Sequence, residues 1–318
     1  MDFQGYETRR ARRLRLERER RARRRSSAKW GGAAAAVVLI IAAAALINGA
    51  IQSSVQRQAE AAAKLAAQTK IENSPGYKIQ RDLPAKINEL NQQLGLPVKV
   101  GSGDLPGKND VAVTLVDLSG KERGNVDYNG DVQFTSASTY KLYVAYAMVS
   151  AVEAGQLRWT SALNGTTVDD CFARMIVRSD NACPEAYIGQ IGYAKLNAAA
   201  AALGVSDKTQ FAYDNMRTSS NDLALLLQKL YAGDLMSDAN REKLLNLMEE
   251  QIYRDGIPAG VADDAVVADK VGFLDALLGD AAIVYADTGD YVLVIMTNGE
   301  SWQFIAQLTS WIDGQMRQ

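Results

Sequence analysis

The chain contains no histidine. That absence excludes a Ser-His-Asp triad, a Cys-His dyad and any His-ligated zinc site. Carboxylates, lysines, tyrosines and water are the bases that remain. There is no internal repeat and no glycine pattern of the dinucleotide or phosphate-loop kind, so neither a cofactor nor a metal is expected. Cysteine is scarce as well: only Cys171 and Cys183 occur in 318 residues. In an oxidising compartment the two would pair, and in a reducing one they would be buried thiols.

What is present is unevenly spread. The net charge is −2, yet residues 1–30 hold twelve Lys/Arg and only four Asp/Glu. The remainder of the chain is therefore acidic, which argues against a nucleic-acid-binding body. "WGGAAAAVVLIIAAAALINGAI", Trp30 to Ile51, carries no charge over roughly 20 residues, the length of a bilayer span. The basic run before it and Trp30 at its boundary place the N-terminus on the cytoplasmic side. A nucleic-acid arm and a cleaved signal peptide are the alternatives. The charged region is long and no small-x-small cleavage site follows the apolar run, so an uncleaved anchor is favoured.

The expected organisation is a basic cytoplasmic tail (1–30), one transmembrane helix (31–51), an Ala/Gln-rich stalk or linker (52–83) and an extracytoplasmic domain (84–318). The chain would be single-pass in the plasma (inner) membrane. "ENSPG" breaks the stalk, and "LPAKINELNQQLG" reads as an amphipathic helix stopped by Gly95. "DVAVTLVDL" alternates like a strand, with a tight-turn signal at Asn129-Gly130. From Ser138 to Leu230 the pattern is largely helical. Strands return in "AVVADKVGF", "AAIVYAD" and "DYVLVIMTN", and "WQFIAQLTSWI" closes the chain as a helix. The fold class is α/β (α+β): an antiparallel sheet built from both ends of the domain, with a helical insertion.

Three short patterns carry the chemistry. In "FTSASTYKLYVAYAM", Ser138 and Lys141 stand three apart, which places both on one face of a helix. A lysine buried along the Lys141, Ala145, Met148 stripe is driven toward its neutral form, a competent base for a serine hydroxyl. The spacing alone is common, and Ser26/Lys29 repeats it in the basic tail. "VRSDNAC" supplies Ser179, Asp180 and Asn181 between helical segments and between the two cysteines; it reads as a turn, or as a proton relay beside a substrate-gripping amide. "DKVGFLD" supplies Lys270, Gly272 and Phe273, either a plain strand edge or a cation and an oxyanion donor beside the serine.

Taken in this order, the chain resembles the penicillin-recognising serine enzymes, and most closely the class A β-lactamase-like family, whose signatures are Ser-x-x-Lys, Ser-Asp-Asn and Lys-Ser/Thr-Gly. The resemblance covers about Pro84 to Ile312. It implies that Ser138 is the acylated nucleophile and Lys141 its base. It further implies that Ser179 passes a proton to the leaving nitrogen, that Asn181 and Lys270 hold the substrate, and that the Ser138 and Phe273 N–H groups form the oxyanion hole. The implied substrates are β-lactams or D-Ala-D-Ala-type peptides of the cell wall.

Two departures stand out. Val271 replaces the Ser/Thr whose hydroxyl contacts the substrate carboxylate. The stretch "LGVSDKTQFAYDNMRTSSND" lacks the loop glutamate that activates the deacylating water, leaving Asp214 as a stand-in or as ordinary turn chemistry. The alternative to an enzyme is a catalytically degenerate module that binds cell wall or a partner.

Overall fold

The computed structural model describes residues 9–96 and 110–318, without the side chains of 9–17 and 20–36. Much of the expected basic tail, the Ser26/Lys29 repeat and the start of the expected span thus lie outside the described side chains. The described residues divide between Thr69 and Lys70 into two units. The described residues of the first belong to helix α1 (Arg9–Asn73). Its segment Val37–Asn73 is long and apolar enough to cross a membrane.

In the second unit, Ser74 caps helix α2 (Pro75–Gln93), accepting from the Tyr77 N–H, and Pro75 occupies the first turn, where its missing N–H costs nothing. The helix therefore begins upstream of residue 84. Its buried residues Ile79 and Leu83 belong to the core of this unit.

The central sheet has five antiparallel strands in the order β2 (Val126–Tyr128), β1 (Asp110–Asp117), β10 (Tyr291–Asn298), β9 (Leu277–Tyr285), β8 (Val266–Leu274). β1 pairs with β10 from Asp110↔Asn298 to Asp117↔Tyr291, which joins the two ends of the domain in one sheet. Side chains alternate between the faces of a strand. Val111, Val113 and Leu115 meet α2 and helix α10 (Trp302–Met316) on one face. Ala112, Val292 and Val294 meet the helical layer on the other. Both faces are covered, so six successive residues of β1 are buried, where alternation alone suggests one wet face.

The inserted layer holds α3 (Lys141–Glu153), α4 (Val168–Val177), α5 (Ala182–Ile191), α6 (Tyr193–Ala202), α7 (Ser220–Ala232) and α8 (Asp238–Glu249), while the short α9 (Ile257–Gly260) packs against α10 on the other face. α3 is buried nearly all round, from Lys141 to Val149, as the central helix of this layer rather than an amphipathic one. The layer is less purely helical than its periodicity suggests. It contains the hairpin β4 (Ala162–Leu163) with β5 (Thr166–Thr167), and a small sheet of β3 (Phe134–Thr135), β7 (Asn215–Thr218) and β6 (Gln210–Ala212). These strands have two to four residues, too few for a period-2 pattern to register.

Candidate active site

Ser138 lies in a single 3₁₀ turn, Ala137–Tyr140, that runs directly into α3 at Lys141. The turn lies against β8, and glycine makes this approach feasible. A Cβ built on Gly272 would fall 2.8 Å from Ser136 O and 2.9 Å from both Ser138 N and Thr139 N. Only a residue without a side chain lets the strand backbone come this close. On the other side, Ser136 N–H donates to Met216 O of β7 at 2.8 Å, so the small sheet fixes the turn too.

Lys141 is fully buried. Its Nζ lies 2.8 Å from Ser138 Oγ, 2.5 Å from Ser179 O and 2.6 Å from Asn181 Oδ1. A carbonyl and an amide oxygen can only accept, so two amine hydrogens go to Ser179 O and Asn181 Oδ1. A neutral amine then has one lone pair left, and of the two hydroxyls beside it Ser138 Oγ, at 2.8 Å, is nearer than Ser179 Oγ, at 3.3 Å. Burial lowers the Lys141 pKa to about 8, partly offset by the negative charges of Asp180 and Glu185. Burial thus brings the amine closer to the neutral form, which can accept the hydroxyl proton.

Lys270 arrives from β8. The strand period turns its side chain toward the turn, while Asp269 and Val271 face the opposite layer. Lys270 is fully buried and donates to Ser179 Oγ and to Val271 O, each at 2.8 Å. Burial first, and the charge of Lys141 second, lower its pKa to about 7. The Ser179 hydroxyl thus sits between the two lysines, 3.3 Å from Lys141 Nζ.

Backbone strain gathers at the same place. Ala137 and Ser179 have φ of +42° and +56°, and Asp214, on the rim, has +55°. Such values cost a non-glycine residue about 1–3 kcal/mol and persist where surroundings enforce them. A disulfide between Cys171 of α4 and Cys183 of α5, with Cα atoms 5.3 Å apart, brackets the Ser179–Asn181 turn. Asp180 closes that turn by accepting from the Cys183 N–H at 3.0 Å.

All seven predicted chemical residues, Ser138, Lys141, Ser179, Asn181, Lys270, Gly272 and Phe273, therefore meet around one turn and one strand end. Ser138, Asn181 and Phe273 line an open cleft of about 970 Å³ together with Tyr140, Glu185, Tyr193, Tyr213 and Asp214. Tyr213-Asp214 is the two-residue tip of the β6–β7 hairpin, which occupies the stretch that lacks the loop glutamate. Among the described residues neither Asp214 nor Glu185 hydrogen-bonds to Ser138 or Lys141. The Glu185 carboxylate is one the sequence reading missed; its i+4 spacing from Asn181 on α5 was the available signal. No cluster of metal-ligating side chains occurs among the described residues.

Comparison with curated proteins gives no match. Among solved structures, a penicillin-G acyl-enzyme complex of a PBP-A mutant is 22% identical with a TM-score of 0.62, covering 73% of this chain and 96% of that one. The β-lactamase of Sphaerobacter thermophilus is 19% identical, TM-score 0.62, covering 74% and 95%. An ancestral class A β-lactamase of Gram-negative bacteria is also 19% identical, TM-score 0.62, covering 72% and 97%. At these identities the likeness is one of fold. The model of the beta-lactamase enzyme family matches residues 104–312, more than half of the sequence, and the chain belongs to that family.

Proposed function

We propose that the protein is a membrane-anchored, extracytoplasmic serine hydrolase that forms an acyl-serine at Ser138 with β-lactams or D-Ala-D-Ala-type peptides. The observation that carries this reading is the contact set of Lys141 Nζ: two oxygens that can only accept, and the Ser138 hydroxyl. Neutral Lys141 takes the Ser138 proton as Oγ bonds to the substrate carbonyl carbon. The resulting oxyanion accepts from the Ser138 and Phe273 N–H groups. The carbon–nitrogen bond then breaks, the Ser179 hydroxyl protonates the leaving nitrogen, and a lysine ammonium restores the Ser179 proton. The exposed Asn181 amide is left to grip the acyl side chain.

Hydrolysis of the acyl-enzyme is the slow half. A positioned general base contributes about 10²–10⁴-fold, and neither cleft carboxylate is held against Ser138. The reading therefore favours a long-lived acyl-enzyme over rapid turnover. The apolar length of α1 supports the anchor, and the basic run before it supports a cytoplasmic N-terminus.

Incubation with a labelled penicillin, followed by peptide mass spectrometry, tests the reading. One equivalent of adduct on Ser138 is expected, and none in Ser138→Ala. A wild-type chain with neither an adduct nor turnover of a chromogenic cephalosporin contradicts it. The absence of a loop glutamate from the β6–β7 stretch favours a second reading: a fold retained to bind cell wall or a partner. That reading requires Ser138→Ala to leave the cellular function intact.

A further inference from the structure

Beyond the Ser138 cleft, across the end of β8, lies a second cavity of about 210 Å³ lined by Tyr253, Asp255, Val271, Phe273 and Trp302. Phe273 lines both cavities, so the two share a wall. Three aromatic rings from separate parts of the chain converge here. Phe273 stands edge-to-face to Tyr253 (centroids 5.3 Å, planes at 68°) and to Trp302 (6.4 Å, 80°). All three rings line the cavity. The one charged lining residue is Asp255, exposed and without an ion pair among the described residues. Its neighbour Arg254 turns inward, donating to Asp269 Oδ1 and to Val267 O.

This lining has the wrong chemistry for an anion. No cation lines it, and Val271 offers no hydroxyl. Aromatic faces with a carboxylate attract a desolvated cation, and ring cages of this kind suit alkylammonium groups. We propose that this cavity binds a small organic cation, an alkylammonium group, and that the substrate acylating Ser138 presents that group on the Phe273 side. The second half rests on the acyl-serine reading above; the first does not.

The test has two arms on the full chain in detergent. In the first, tetramethylammonium and methylammonium chloride are titrated by ligand-observed NMR, with sodium acetate at matched ionic strength as the anion control. Saturable binding of the ammonium ions and none of acetate is expected. Asp255→Asn and, separately, Tyr253→Leu should each weaken binding about five-fold. Acetate binding as well as the ammonium ions do, or ammonium binding unchanged in both variants, overturns the cavity assignment. In the second arm, Ser138 labelling is compared for two esters identical except for a terminal trimethylammonium or carboxylate. Faster labelling by the ammonium ester, with the advantage lost in Asp255→Asn, supports the substrate assignment; equal rates overturn it. Tetramethylammonium binding without labelling by either ester or by penicillin keeps the cavity and overturns the acyl-serine reading. Penicillin labelling without ammonium binding does the reverse.

Discussion

Lys141 and Lys270 converge on one oxygen: their nitrogens lie 3.3 and 2.8 Å from Ser179 Oγ. Two ammonium groups sharing a buried hydroxyl repel each other, and the low dielectric strengthens that repulsion. The fold holds both amines where at least one is driven to lose its proton.

This arrangement is visible in stability. Burial lowers Lys141 to about 8 and Lys270 to about 7, against an ordinary value of 10.5. The unfolded chain binds these protons more tightly, so stability rises with pH from about 7 toward about 10. For Lys141 the shift corresponds to roughly 3 kcal/mol. Thermal unfolding should move to higher temperature from about pH 7 to about pH 9, and Lys141→Met should flatten the climb. A wild-type profile as flat as the variant's contradicts the burial argument.

A second buried pair acts in a separate window with the opposite sign. Asp269 and Asp280 are both fully buried, one oxygen of each lacks a partner, and Asp280 Oδ2 accepts from the Ile257 N–H at 2.8 Å. Burial raises both carboxyls, Asp280 to about 6. Protonation of Asp280 in the folded state favours the fold at low pH, a benefit lost as pH rises through about 6, and the raised Asp269 acts in the same direction. Asp280→Asn keeps an acceptor for Ile257 and removes one charge. It should raise the melting temperature at pH 8, with the difference from wild type shrinking at pH 5. Destabilisation at pH 8 contradicts the pairing.

Gly272→Ala should separate β8 from the Ser138 turn, because the new methyl meets Ser136 O at 2.8 Å. Overpacking of this kind costs about 1–3 kcal/mol. Penicillin labelling of Ser138 should fall by much more than stability does, since a displacement of about 1 Å costs about 10²-fold in rate. Labelling at the wild-type rate would show that the close approach is irrelevant to the chemistry.

Reduction of the Cys171–Cys183 bridge should lower stability by about 3 kcal/mol, as expected for a short loop. Because the bridge brackets Ser179 and Asn181, labelling of the folded, reduced protein should also slow. Unchanged melting after verified reduction contradicts the structural role.

Much of this was legible in sequence. The long apolar strands announce the sheet, and Ser138/Lys141, Ser179/Asn181 and Lys270/Gly272 mark the site through residue type and order. What stayed hidden depends on distant partners. The β6–β7 hairpin is too short to show a period, so Asp214 at its tip could not be placed in the cleft. Tyr253, Phe273 and Trp302 come from a loop, a strand end and a helix start, and only the β8–β9 register and the seating of α10 bring them together. Asp269 and Asp280 read as isolated polar residues until that ladder places their strands side by side.

The most direct measurement is the rate of Ser138 acylation by penicillin as a function of pH, alongside ¹⁵N titration of Lys141 Nζ. The account predicts that the amine titrates near its lowered value of about 8 and that acylation rises with pH through the same midpoint. A Lys141 that keeps its proton to about pH 10 while acylation is already at full rate at neutral pH would contradict it.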